Sequence, residues 1–166
     1  KEWARFSRRW AKALRDAGVT QFHSSACEWG RGEFRGMSQT ARERLQRKLI
    51  EVIVRSGPAA IAVAVTPDLH RTAVEGVGSQ RYRKTPYFFL FQSFLEMAMQ
   101  HPLTTRSGAK VAFFFDRQDE FAGTAHQHFQ RAREEAERLA QMSSLTFVSK
   151  ADELGLPIQA ADVLAY

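Results

Sequence analysis

Asp116 and Asp162 are the side chains of this sequence with the clearest opportunity for chemistry. Asp116 ends the run Val111-Ala112-Phe113-Phe114-Phe115. A carboxylate just beyond an apolar strand stands where ligands collect in open α/β sheets. Asp162 lies in the otherwise apolar stretch Ala160–Tyr166, where a charge needs a partner or a metal. Gln159, three residues earlier, shares a neighbouring face of the same predicted helix. Two carboxylates suit a hard cation such as Mg2+ or Mn2+, which can activate water and steady the leaving oxygen of a phosphodiester. Such a centre needs further oxygen ligands, and Glu96 and Glu75 are the candidates. Each aspartate also has a plainer role open to it. Asp116-Arg117-Gln118-Asp119 makes a good turn, and Asp162 could sit on a solvated helix surface.

Other chemistries find less support. His126 and His128, two apart, point away from each other on a helix, and no His-Glu-x-x-His is present. His23 suits a site or a structural role equally. There is no glycine-rich phosphate loop ahead of a helix and no Gly-x-Ser-x-Gly elbow. The single cysteine, Cys27, excludes an internal disulfide and a cysteine-built zinc site.

The elements that must position these residues follow from hydrophobic periodicity. Trp3, Phe6, Trp10, Ala13 and Leu14 mark an amphipathic helix ending at Gly18, with Arg5, Arg8, Arg9, Lys12 and Arg15 largely on its other face. Val19–His23 reads as a short extended segment. A second helix is capped by Ser38 and stopped by Ser56-Gly57-Pro58. Ala59–Val65 is an unbroken apolar run, the pattern of a covered central strand. Asp68–Thr85 reads as loop, and Pro86 opens an aromatic helix closed by His101-Pro102. Then come a strand ending at Asp116, a polar helix over about 124–142, a strand at Leu145–Val148 and a helix from Pro157. This alternation specifies an α/β sheet flanked by helices, and with no linker it specifies one domain over 1–166.

The 166 residues carry a formal charge of +6, unevenly distributed. Residues 1–55 hold 13 basic and 6 acidic side chains, whereas 111–166 hold 5 and 9. Arginine outnumbers lysine 18 to 6, which favours bidentate contacts to phosphate or carboxylate. A basic first half fits nucleic acid on one surface; solvated helix faces explain the same counts. No window is long and apolar enough for a membrane span and no apolar leader is visible, so the expected compartment is the cytoplasm.

Val111–Asp116, followed by Leu156-Pro157-Ile158-Gln159-Ala160-Ala161-Asp162-Val163-Leu164-Ala165-Tyr166, resembles the DUF3800 family, most specifically in Gln159-x-x-Asp162. The resemblance implies a three-layer ribonuclease-H-like α/β fold with a mixed sheet. Asp116 would then end a sheet strand, and Asp162 would be the carboxylate of the final helix, with Gln159 beside it. Members of that family usually open with a strand carrying an aspartate, in a form like Asp-Glu-Ser-Gly. This sequence opens instead on the Trp3 helix, so the expectation is a fold lacking its first strand. A sheet edge left uncovered in that way could pair in a homodimer.

The leading expectation is a Mg2+- or Mn2+-dependent nuclease acting on DNA or RNA. Asp116 and Asp162 would be the metal ligands, with Gln159 and Glu96 completing the catalytic set. The alternative is a noncatalytic nucleic-acid-associated or protein-binding module of the same fold.

Overall fold

The first helix, α1 (Glu2–Asp16), buries Phe6, Trp10, Ala13 and Leu14, which recur at the spacing of one helix face. It stops at Gly18, whose φ of 74° places it in the left-handed region. The Val19 amide then reaches back to the Leu14 carbonyl at 3.1 Å, closing the helix end as glycine permits. Residues 2–75, 86–107, 110–117, 119–135, 141–152 and 155–166 are described in this computed structural model.

After an extended stretch come α2 (Ser24–Glu28), a 3-10 turn (Gly32–Phe34) and α3 (Gln39–Ser56). Ser38 caps α3 by accepting the Ala41 amide at 3.3 Å, and Gly57 ends it with a φ of 58°. The chain continues through α4 (Pro67–Val74), α5 (Pro86–Gln100), α6 (Pro102–Ser107), β1 (Val111–Asp116), α7 (Asp119–Glu135), β2 (Met142–Val148) and α8 (Leu156–Ala165). The amide of Val111 bonds the Gln141 carbonyl, and the amide of Arg117 bonds the Val148 carbonyl, each at 2.9 Å. The two strands therefore run parallel. The architecture is mixed α/β, with a small two-stranded parallel sheet flanked by helices.

The chain divides into two units. The first takes Lys1–Ala59, Phe114–Arg117 and Phe147–Tyr166; the second takes Ala60–Phe113 and Gln118–Thr146. In the first, Trp10, Phe22, Phe34, Leu49 and Cys27 form a core that α8 joins through Ala160. The Trp10 and Phe22 rings meet edge to face at 6.5 Å, and Phe22 meets Phe34 in the same way at 5.9 Å. In the second, Phe88, Phe91, Leu95, Phe113, Phe129 and Met142 are buried. There the Phe113 ring approaches Phe129 at 6.2 Å.

The sheet differs from the sequence expectation in extent. Val19–His23 is extended but belongs to no strand, because its polar bonds go to side chains. Residues 59–65 likewise form no ladder; among the described residues no backbone hydrogen bond reaches them. The loop expected from Asp68 is a helix as far as Val74. Thr66 accepts the Leu69 amide and Pro67 occupies the first turn, together starting α4. The rest of that stretch, 76–85, lies outside the described residues. Among the described residues no helix is long and apolar enough to cross a membrane.

Glu33 ties the extended segment to the 3-10 turn by accepting the backbone amide and hydroxyl of Thr20. Burial pushes its carboxyl upward, but the bonds from Thr20 and Gln21 outweigh that and hold it below the usual range. The linked stability is fully present above the ordinary glutamate value of about 4.3 and is lost as pH falls through the lowered folded value. Glu33→Gln should lower the neutral-pH melting temperature by about 1–4 °C. It should also flatten the acid limb of a melting-temperature profile; an acid limb as steep as that of the wild type would exclude this role.

Candidate functional site

Four segments of the first unit meet at the end of its strands. Asp116 closes β1, Lys150 follows β2 by two residues, α8 supplies Gln159 and Asp162, and His23 and Ser24 open α2. Gly155 lets α8 start directly against the loop that carries Lys150. A Cβ there would collide with the Ser149 carbonyl oxygen and the Lys150 backbone.

Asp116 and Asp162 are brought together, and what joins them is a cation. The Lys150 ammonium lies 3.4 Å from Asp116 Oδ2 and 3.2 Å from Asp162 Oδ1. The Lys150 side chain is only 13% exposed, against 40% for Asp116 and 22% for Asp162. The other Asp162 oxygen accepts the Ser24 amide at 2.7 Å and lies 3.5 Å from His23 Nδ1. Ser24 Oγ also donates to the Asp162 backbone carbonyl at 3.0 Å. His23, the residue preceding α2, makes no side-chain cap bond, so Asp162 supplies that function from α8.

Gln159 is fully buried beneath this cluster. Its Oε1 accepts the Trp10 indole N–H at 3.0 Å and the Phe22 amide at 2.9 Å, while its Nε2 donates to the Lys150 carbonyl at 2.7 Å. It therefore holds α1, the extended segment and the Lys150 loop to α8. Its Oε1 is fully engaged by two donors, and its buried Nε2 is tied to the Lys150 carbonyl.

Glu96 and Glu75 belong to the second unit. Glu96 accepts from Gln92 Nε2 at 3.0 Å on its own helix, and Glu75 lies at the end of α4. Among the described residues no group of three His, Cys, Asp or Glu side chains is gathered to hold a metal ion. This overturns the expected Mg2+ or Mn2+ centre on Asp116 and Asp162, and with it a metal-binding nuclease. The physical reason is the third partner: an ammonium lies against both carboxylates, and Asp162 has its other oxygen committed to Ser24.

Sequence reasoning missed Lys150 and Ser24. The available signal for Lys150 was positional, a lone base just past an apolar strand in an acidic third of the chain. Cys27 is buried, and desolvation pushes its thiol up to about 11, partly opposed by the nearby Arg42. That makes it a core side chain and a poor nucleophile. No protein-family model matches the chain, and comparison with curated proteins and with solved structures finds no match either.

Proposed function

We propose that this protein is a noncatalytic nucleic-acid-binding module whose first unit holds phosphates through an arginine-rich surface. One observation carries the reading. Arg5, Arg8, Arg9 and Arg15 on α1, with Arg31 and Arg35 beyond α2, are exposed and form no ion pair among the described residues. Of the six acids in residues 1–59, four are already engaged: Asp16 with Lys12, Glu43 with Arg47, Glu51 with Lys48 and Arg55, and Glu33 with Thr20. Glu2 and Glu28 are exposed and form no ion pair among the described residues. Arg5, Arg8, Arg9 and Arg15 fall within a stripe roughly 120° wide at 3.6 residues per turn, away from the buried Phe6–Leu14 face. A row of unpaired guanidinium groups suits a polyanion, whose condensed counterions are released on binding.

The DUF3800-like, ribonuclease-H-like layout is part of the same proposal. It is supported by Asp116 at the carboxyl end of a strand and by Gln159 and Asp162 on a late helix of the same unit. Lys150 replaces metal as the counterion of the two aspartates in this reading. A cytoplasmic setting suits the buried free thiol of Cys27.

The test is a combined Arg5→Ala, Arg8→Ala and Arg9→Ala variant titrated against a labelled oligonucleotide by fluorescence anisotropy. Binding should weaken about 10-fold or more, and the slope of log affinity against log salt should fall by about 2. Melting should match the wild type, because all three side chains are exposed. An unchanged affinity would remove the α1 surface from the interface.

A further inference from the structure

We propose that the loop between α2 and α3 is a stacking platform for single-stranded nucleic acid. An unpaired base would lie on the Trp29 indole, with neighbouring phosphates on Arg31 and Arg35. The proposal rests on the nucleic-acid reading above and assigns its strand preference to a named side chain.

Trp29 is 66% exposed, whereas Trp10 is wholly buried and Trp3 stacks on Phe6 at 5.0 Å. Trp29, Arg31 and Arg35 make no side-chain hydrogen bond, ion pair or ring contact among the described residues. Yet the loop that carries them is held firmly from within. Phe34 is buried in the core against Phe22. Arg42 reaches up from α3 and donates to the Met37 carbonyl at 2.7 Å and the Glu28 carbonyl at 3.4 Å, joining the two ends of the loop. Gly30, with a φ of 60°, lies over the same guanidinium; a Cβ there would come within 3.2 Å of Arg42 Nη1. The Arg31 amide bonds the Ala26 carbonyl at 2.8 Å.

A held loop with an outward indole and two unpaired guanidiniums provides the two parts of a single-strand site, a flat π face and cations for the backbone. A base offers one ring face and needs no wider apolar surface. A protein partner would need a larger patch than one indole supplies. A duplex keeps its bases stacked internally and cannot present one to Trp29.

The experiment uses one mixed-sequence labelled strand as RNA, as DNA and annealed to its complement. Trp29→Ala should weaken single-strand binding about 5- to 30-fold, with the salt slope unchanged and duplex binding unaffected. Trp29→Phe should keep most of the affinity. Arg31→Ala and Arg35→Ala should each lower the salt slope by about 0.7. Tryptophan emission should be quenched by the single strand in the wild type and not in Trp29→Ala, which retains Trp3 and Trp10. The RNA and DNA arms separate the two sources of a single strand, and the effect in either one supports the platform. If Trp29→Ala binds like the wild type while the α1 arginine variant still weakens, the platform is wrong and the arginine surface stands. An equal loss on duplex also overturns it. A wild-type protein that binds none of the three defeats both readings.

Discussion

Gln159→Ala should be the most damaging single substitution in the first unit, costing about 3–4 kcal/mol, which corresponds to a fall of roughly 6–16 °C in melting temperature. The residue has no exposed surface and makes three hydrogen bonds, to the Trp10 indole, the Phe22 amide and the Lys150 carbonyl. Truncation leaves two buried donors without an acceptor and opens a cavity beside Trp10. Unmade buried bonds cost more than made ones contribute, because each group has already lost its water. The specific signature is coupling. Trp10→Phe removes one of the stranded donors, so Gln159→Leu should cost less in that background than in the wild type. Thermal unfolding of the four members of this cycle measures it. Additive effects would mean that the indole bond contributes nothing.

Lys150→Met should cost about 2 kcal/mol, or roughly 4–8 °C. The figure is below that for a fully buried pair because Asp116 and Asp162 are 40% and 22% exposed, and water screens what the ammonium leaves behind. Removing the cation sets two carboxylates near each other with no counter-charge. Neutralising them should therefore restore stability: Asp116→Asn added to Lys150→Met should recover part of the loss. Alone, Asp162→Asn should be worse than Asp116→Asn, since Asp162 also holds the start of α2 through Ser24. Melts of the single and combined variants test this order. Equal melting of Lys150→Met and the wild type would show the bridge to be idle.

The sequence made the ends of this site visible but not its centre. Three phenylalanines running into Asp116, and Pro157 opening a helix with Gln159 and Asp162 three apart, located two of the converging segments from periodicity alone. The role of Gln159 was hidden because its partners, Trp10 and Phe22, are 149 and 137 positions away. A glutamine flanking an apolar stripe gives no local sign that an indole and an amide need its oxygen. Lys150 was hidden for a related reason. Two carboxylates suggest a cation, but residue spacing does not tell a metal from an ammonium delivered by another loop. The 59–65 segment shows a different limit. Its apolar run suggested a strand covered on both faces, yet Ala60, Ala62 and Ala64 are exposed while Ile61, Val63 and Val65 are half-buried. The true alternation was masked because alanine counts as apolar while tolerating water. Extended conformation is a local preference; pairing into a ladder is decided by what packs alongside.

The most direct test of the account is one titration of the wild-type protein with a labelled single-stranded oligonucleotide, run in EDTA and again with Mg2+, across increasing salt. The account predicts binding at low salt in both buffers, an affinity that falls steeply as salt rises, and an oligonucleotide recovered intact. No binding at low salt, or binding or strand cleavage that appears only with Mg2+, would contradict it.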